Sequence, residues 1–443
     1  MIDSKPCFPK EEHLMTKRSV FKILCCALLS LSPCGLSPAA PRGKGERLME
    51  ESVKKMNRSS FLIFKNLLEE QRRENIIFSP LSIQKSLSLL YPAAAESSDI
   101  RNELASLLVA PGRNDEEFYR WNRSYLAHVN AIFDKRYPKK RFEGEMASTL
   151  WISKAFDVNE KYQSIVKDNF SSDIIKLDFT SSDEQREVAR LAINDFVREK
   201  TNEFIRDLVP KGAITEKTAI VLTNAIYLLA DWQDEFQGSM TSREDFSITA
   251  DTKKSVKMMK KVSKIDYFEN RLLKAVSLPY MGGELAMLVI LPKKPSDFPS
   301  LQKHLDEALI ENIMDGLLKK QVSLWLPKFE YIWGSHSLKN ALVKSGVKKI
   351  FSYQPNNFPG LLSRESPFSD YPISVTDIFH QARIIVDERG TEAAAATAMT
   401  VELTSLTIKK EKPVEFKVNR PAYFFIYDTK YNGIMFIGTL TDP

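Results

Sequence analysis

Hydrophobic residues are spaced differently in the two halves of the chain. Within residues 46–71 and 185–205 they recur every three or four positions, which is the period of a helix with one buried face. The second half contains short runs rich in valine, isoleucine and aromatic residues, as strands do. Residues 299–318 return to helical spacing. The pattern predicts helices and large sheets together, with helices dominating early and strands late.

Several segments predict particular strands. Residues 218–232 form a long apolar run with β-branched residues, which favours a central strand over a helix. Residues 272–292 predict a hairpin that turns at Gly282 and Gly283. Further strands are predicted at 321–333, 383–388, 414–419, 422–428 and 433–440. No internal repeat or low-complexity linker marks a boundary, so we expect the elements to pack as one unit.

The N-terminal residues have a pattern of their own. Three basic residues precede an apolar run from Ile23 to Leu31, and small residues follow it. This is the layout of a secretory signal peptide, and the run is too short to span a bilayer. We therefore expect residues 1–40 to be an N-terminal extension and signal peptide, with Met15 as an alternative start, and residues 41–443 to be one domain. A buried N-terminal helix is the alternative interpretation.

The cysteines and glycosylation motifs agree with secretion. All four cysteines lie near the N-terminus: Cys7, Cys25, Cys26 and Cys34. Cleavage after Cys34 would leave a mature chain without disulfides or thiolate chemistry. The motif Asn-X-Ser, an acceptor for N-glycans, occurs at Asn57, Asn122 and Asn169.

Composition and motifs exclude several functions. The 443 residues are 43% hydrophobic and 27% charged, and the net charge of +6 comes without an extended polybasic tail, which argues against a nucleic-acid-binding protein. The nucleophile elbow, the zinc-protease motif and the common nucleotide-binding loops are missing. Five histidines are scattered without metal-like spacing. We expect no metal, no cofactor, no membrane partner and no enzymatic activity, although a spatial Ser-His-Asp triad stays open.

One alanine-rich segment near the C-terminus, GTEAAAATAMTVELTS at residues 390–405, lies between two strand-like stretches. At the strand period of two, one face of 391–403 has no charge, and both glutamates, Glu392 and Glu402, fall on the other. Small side chains would let such a segment slide between existing strands, with Gly390 as a hinge. An ordinary alanine-rich surface helix or loop is the alternative.

The segment DERGTEAAAATA (387–398) resembles the reactive-loop hinge of the serpins, the serine-protease-inhibitor superfamily. Other stretches resemble serpin signatures in the same order: NIIFSPLSI (75–83), LTNAIYLLADW (222–232), VKMM (256–259), FKVNRPAYFFIYD (416–428) and FIGTLTDP (436–443). The resemblance covers roughly residues 46–443. It implies an α+β fold in a single domain of about three β-sheets and eight to nine helices, with an exposed reactive-centre loop at about 388–412.

The resemblance also implies a mechanism. In serpins a protease cuts the loop, forms an acyl-enzyme, and is trapped when the cut loop inserts into the central sheet. The hinge would comprise Gly390, Thr391, Glu392, Ala393, Ala394, Ala395, Ala396 and Thr397. Family spacing places the reactive bond at Thr404–Ser405, with Leu403 as the alternative residue before the cut. An uncharged residue there points to extracellular elastase-like or chymotrypsin-like proteases.

Further residues take family roles by position. Ser79, Ser82, Asn224 and His380 match the polar "shutter" beneath the opening sheet, and Trp232 matches the "breach" residue where the loop enters. Five cations, Lys135, Arg136, Lys139, Lys140 and Arg141, follow the region matching helix D, where some serpins bind heparin-like glycosaminoglycans. A solvated charged loop is the alternative there.

We expect a secreted monomer that inhibits serine proteases. The alternative is a non-inhibitory serpin acting as a carrier, hormone precursor or chaperone. The hinge distinguishes the two, because non-inhibitory members often have bulky or charged residues where this chain has Thr391 and Ala393–Ala396.

Overall fold

Nine α-helices and fifteen strands build the part of the chain that the computed structural model describes, which is residues 43–71, 75–108, 114–354, 357–368, 371–391 and 412–443. The helices are α1 (Lys44–Glu70), α2 (Pro80–Leu90), α3 (Asp99–Leu108), α4 (Asp115–Phe133), α5 (Glu160–Phe170), α6 (Asp183–Lys200), α7 (Phe298–His304), α8 (Glu307–Asp315) and α9 (Lys339–Lys344). Polar side chains start several of them. Asn114, for example, accepts hydrogen bonds from the Glu116 and Glu117 amides at the start of α4.

The strands form two hydrogen-bonded sheets. They are β1 (Ile77–Phe78), β2 (Phe142–Ser153), β3 (Asp173–Leu177), β4 (Ile220–Asp231), β5 (Ser242–Ser247), β6 (Lys253–Glu269), β7 (Leu273–Pro279), β8 (Leu285–Pro292), β9 (Leu318–Pro327), β10 (Phe329–Ser337), β11 (Val375–Val386), β12 (Gly390–Thr391), β13 (Val414–Lys417), β14 (Ala422–Asp428) and β15 (Ile434–Leu440). One sheet has nine strands in the order β1-β15-β14-β8-β7-β6-β9-β13, with β5 on β6. The other has six, in the order β10-β11-β12-β4-β2-β3.

The third sheet implied by the family resemblance is continuous with the nine-stranded sheet. The cause is β6, which has 17 residues and pairs with β5 at one end and with β7 at the other. The α+β fold class is confirmed, and Lys44–Pro443 forms one compact unit.

The six-stranded sheet has a helix on each face. On one face lies α2, all eleven of whose residues are buried. On the other face, Ile193 and Val197 of α6 pack with Trp151, Val221 and Phe379 of the sheet. Because both faces are covered, all twelve residues of β4 are buried, which explains its continuous apolar run.

Most elements predicted from the sequence are present, and two are split. Residues 299–318 form two helices, α7 and α8, because the Asp306 side chain accepts from the Leu309 amide and starts a new helix. Residues 321–333 form β9 and β10, which lie in different sheets on either side of Lys328. The helix predicted at 185–205 ends at Lys200.

Candidate functional site

The candidate site is a fork at one end of the six-stranded sheet. Strands β11 and β4 run parallel and pair directly as far as Ala382 and Ile226. Beyond that point the short strand β12 lies between them, with Thr391 opposite both Val386 and Ala230. The chain therefore leaves β11, turns, and enters the sheet as an antiparallel strand.

A tight turn at Asp387 carries the chain into the fork. The buried Asp387 carboxylate accepts hydrogen bonds from the amides of Arg389 (2.9 Å) and Gly390 (3.2 Å), and its own amide donates to the Gly390 carbonyl (2.8 Å). Burial raises the pKa of Asp387, while these amides oppose the rise. Gly390 is required by space, since a Cβ at this residue would lie 2.1 Å from the Ala230 carbonyl oxygen.

Trp232, the predicted breach residue, lies against this turn. Its indole N–H donates to the Asp387 carbonyl at 3.0 Å, and its amide donates to the Arg389 carbonyl at 2.6 Å. Its ring stacks on Tyr280 at 4.6 Å between centroids and is 1% exposed. Trp232 thus connects the end of β4 to the start of the hinge.

A charged cluster around the fork was missed by sequence reasoning. The fully buried Asp231 carboxylate receives Arg141 Nε at 2.9 Å and the Arg389 guanidinium at 3.3 Å. Beside it, Glu388 pairs with Lys328 at 2.6 Å. The partners are 60 to 158 positions apart in the chain, so no local pattern indicated them.

The predicted shutter residues meet beneath the sheet, with one exception. His380 Nε2 accepts from the Ser79 amide at 3.1 Å, and its Nδ1 lies 3.0 Å from Asn224 Oδ1. Asn224 in turn donates to Ser86 Oγ at 2.9 Å, a contact that the sequence did not indicate. Ser82 bonds to Ser79 instead: its Oγ donates to the Ser79 carbonyl at 3.1 Å, and its amide donates to Ser79 Oγ at 3.2 Å, which supports the start of α2.

The hydrogen bonds define the state of His380. Because Nε2 accepts a backbone N–H, the ring proton is on Nδ1 and is donated to Asn224. Burial lowers the pKa of His380 to about 3, so the ring is neutral at physiological pH. Its role here is to join α2, β4 and β11.

The basic cluster is not a uniformly unpaired surface. Lys135 pairs with Glu284, Lys140 with Glu235, and Arg141 with Asp231. Arg136 donates to the Phe133 and Lys135 carbonyls, and the exposed Lys139 has no carboxylate partner in the described part of the chain. Three of the five cations are therefore paired with carboxylates of other elements, which weakens the electrostatic attraction that the cluster can exert on a polyanion.

Burial counts against two of the three predicted glycan acceptors. The Asn57 side chain is 8% exposed, donates to the Asn432 carbonyl and accepts from the Ile434 amide. Asn122 is 6% exposed and donates to the Phe118 carbonyl within α4. A glycan on either amide would require these contacts to break. Asn169 is half-buried near the end of α5 and stays a prediction.

The reactive bond and most of the hinge lie outside the described residues. This applies to Thr404, Ser405, the alternative Leu403, and the hinge positions Glu392, Ala393, Ala394, Ala395, Ala396 and Thr397. Only the first two hinge residues, Gly390 and Thr391, are placed, and both lie in the fork.

The described ranges contain neither a metal-binding group nor a membrane-spanning helix. Within the described ranges, no group of three histidine, cysteine or acidic side chains could hold a metal ion. Within the same ranges, no helix is long and apolar enough to cross a bilayer.

Comparison with protein families identifies the class of protein to which this chain belongs. Residues 54–443 match the family model described as serpin, serine protease inhibitor. The chain belongs to the serpin family, and the resemblance seen in the sequence is confirmed.

Relatives and a solved structure agree. A serpin-like protein of Thermococcus kodakarensis is 32% identical over 88% of this chain and 85% of its own length. Antichymotrypsin-2 of Bombyx mori is 31% identical over 84% of this chain and 94% of its own. Human thyroxine-binding globulin, complexed with its ligand, superposes with a TM-score of 0.75 at 23% identity, covering 89% and 99% of the two chains.

Proposed function

We propose that this chain is a secreted suicide inhibitor of serine proteases whose loop, once cut, becomes a full strand between β11 and β4. The observation that supports this most directly is β12, in which Gly390 and Thr391 already pair within the fork. A partly entered strand needs no new nucleation, because each following residue adds to an existing ladder.

Extending the register of β12 gives the inserted state. Thr391 lies opposite Ala230 and Val386, and each further residue moves one position back along both neighbours. Thr397 would then lie between Asn224 and His380, the two side chains now bonded to each other at 3.0 Å. Full insertion must therefore break this bond and separate the strands by about 4.8 Å.

The side chains of the loop suit that path. Ala393 and Ala395 would lie opposite Leu228 and Ile226, which face the main hydrophobic core on the α2 side. Glu392 would point to the opposite face. The uncharged face of the loop thus meets the core, and small side chains need little space while the strands separate.

In the proposed mechanism the protease serine attacks the loop carbonyl and forms an acyl-enzyme. Insertion of the cut loop then carries the attached protease along the sheet, and its catalytic groups are distorted before water completes deacylation. The serpin contributes no catalytic residue. Three features set how readily insertion starts: the fork, the turn at Asp387, and the contact between His380 and Asn224.

The expected targets follow from the residue before the cut. Thr404, or Leu403 if the register is shifted, would fit the shallow or apolar pocket of elastase-like or chymotrypsin-like proteases. The signal-like N-terminus supports action outside the cell.

Incubation with elastase-like, chymotrypsin-like, trypsin-like and subtilisin-like proteases tests the proposal. We expect an SDS-stable complex with one of the first two classes, and mass spectrometry should place the cut after Thr404 or Leu403. Cleavage by every protease without any stable complex would contradict the inhibitor proposal. It would instead support the non-inhibitory alternative, a carrier, hormone precursor or chaperone.

A further inference from the structure

Lys85 is a lysine buried within α2, next to the shutter. Its residue is 6% exposed, and its ammonium donates to the Ser171 carbonyl at 3.2 Å. Ser171 ends α5 in a left-handed conformation with φ of 47°. The ammonium therefore sits at the C-terminal end of α5, where carbonyl oxygens attract a cation.

The surroundings of Lys85 compensate its charge only in part. Within the described ranges Lys85 forms no ion pair, and Glu145 on β2 and Asp173 on β3 attract it through space. Two buried tyrosines lie close to Lys85: Tyr125 of α4 lines the same cavity, and Tyr162 of α5 donates to the Leu89 carbonyl of α2. Burial raises the pKa values of both, so they stay protonated between pH 7 and 9. The other neighbours are uncharged: Met56, Leu81, Gln84, Ser88, Leu108, Trp121, Asn122 and Leu126.

The bond from Lys85 to Ser171 joins α2 to the end of α5, and these two elements must move apart when the loop inserts. Strand β4 is hydrogen-bonded to β2 along its length, and β2 pairs with β3. Only Ser171 and Ser172 separate β3 from α5, so α5 is tied to the same side of the fork as β4. On the other side, α2 is tied to β11 through the Ser79 amide and His380, and its bond to β4, from Asn224 to Ser86, lies at the point where the inserted strand would separate Asn224 from His380.

We propose that opening of the six-stranded sheet is coupled to Lys85, because moving α5 and β3 away from α2 exposes the buried ammonium to water. A shift approaching one strand spacing, about 4.8 Å, breaks the bond to Ser171. Ser171, Glu145 and Asp173 are already exposed at the surface, so water reaches the amine as soon as the elements part. The inference rests on the proposed function in one respect, that the sheet opens between β11 and β4.

The direction of the pH effect follows from burial. Burial lowers the pKa of Lys85 to about 8 in the closed sheet, whereas a hydrated lysine titrates near 10.4. Opening therefore takes up a proton between these values. The closed state is least favoured below pH 8, where the buried amine is charged, and it gains stability as pH rises through 8 towards 10.

Native-state hydrogen exchange tests this without a protease. In the wild-type protein we expect protection of residues 160–177, corrected for intrinsic exchange, to rise roughly tenfold from pH 7.5 to 9.5. Lys85→Met should be better protected than wild type at pH 7.5 and show no such rise. Lys167→Met, which replaces an exposed lysine of α5, is the matched control and should follow wild type. Strands β14 and β15 serve as an internal reference.

Two results would overturn the proposal: a wild-type pH rise retained in Lys85→Met, or lower protection of that variant at pH 7.5. Lys85→Gln, which keeps a donor for Ser171 without a charge, must give the same flat profile and covers the case in which methionine disturbs folding. Because exchange is read on the uncut protein, failure to trap any protease would count against the proposed function alone.

Discussion

A single neutral imidazole joins three elements beneath the sheet. His380 is fully buried, accepts from α2 and donates to β4, so its protonated form has no acceptor for the second N–H. Burial lowers the pKa of His380 to about 3, against about 6.5 in the unfolded chain. The unfolded state therefore binds more protons in this interval, and His380 costs the native state stability as pH falls from 6.5 towards 3.

We expect His380→Gln to flatten the pH dependence of stability. The variant should be less stable than wild type at pH 7.5, because it loses part of the bonding to Ser79 and Asn224. Below pH 6.5 the wild-type protein should lose up to about 1.4 kcal/mol per pH unit from this residue, and the variant should not. Urea unfolding at pH 7.5, 6, 5 and 4 measures the difference. The exposed His304→Gln is the control, and equal slopes in His380→Gln and wild type would contradict the assignment.

At the scale of elements, entry of the loop into the fork depends on which face of the sheet each hinge residue would occupy. Thr391 lies opposite Ala230, which faces the core, so positions of the same parity are buried when the strand grows. The proposed insertion would thus bury the uncharged face of the loop in a single register.

Thr391→Arg should convert the inhibitor into a substrate. Insertion would bury an unpaired guanidinium on the core face, at a cost of several kcal/mol, so deacylation would overtake it. The measurement is the number of inhibitor molecules consumed per protease trapped. Glu392→Arg, a change on the opposite face, is the matched control and should inhibit nearly as well as wild type. Unchanged trapping by Thr391→Arg would show that this face is not buried.

Periodicity predicted the elements better than it predicted their contacts. The buried strand β4 and the hairpin of β7 and β8 follow from local composition and turn residues. The clamp of Asp231 with Arg141 and Arg389 joins distant positions that only the fold brings together. The same limit applies to Asn57 and Asn122, whose burial could not be predicted because the glycan motif carries no information about it.

At the scale of the molecule, the charges of the basic cluster divide into two groups. Arg141 holds the buried Asp231, while Lys139 is exposed without a carboxylate partner in the described part of the chain. If the cluster attracts polyanions, the unpaired cations carry that attraction, and the paired ones stabilise the fold.

Heparin chromatography separates these roles. We expect Lys139→Ala to lower the salt needed for elution without changing the thermal midpoint, because a polyanion releases fewer counterions to a surface with fewer cations. Arg141→Ala should lower the midpoint, because it leaves Asp231 with less compensation. Elution of Lys139→Ala at the wild-type salt concentration would remove the cluster as a glycosaminoglycan site.

The proposed insertion of the loop would add a full strand to the six-stranded sheet of the cut molecule. In the proposed inserted state, the loop beyond β12 would bond to β11 on one side and β4 on the other, replacing their direct pairing over Val375–Ala382 and Ile220–Ile226. A net gain of roughly ten backbone hydrogen bonds, at about 1 kcal/mol each, would stabilise the cut chain by about 10 kcal/mol.

Cleavage near Thr404 should therefore raise the thermal midpoint by on the order of 10 °C or more. The comparison is between intact protein and protein cut by a catalytic amount of a non-target protease, with both fragments retained. Thr391→Arg cut at the same bond is the control, and its midpoint should rise less, since its strand cannot enter fully. If the cut wild-type protein melts at or below the intact one, the loop does not insert, and the fork at β12 is a fixed feature of the sheet.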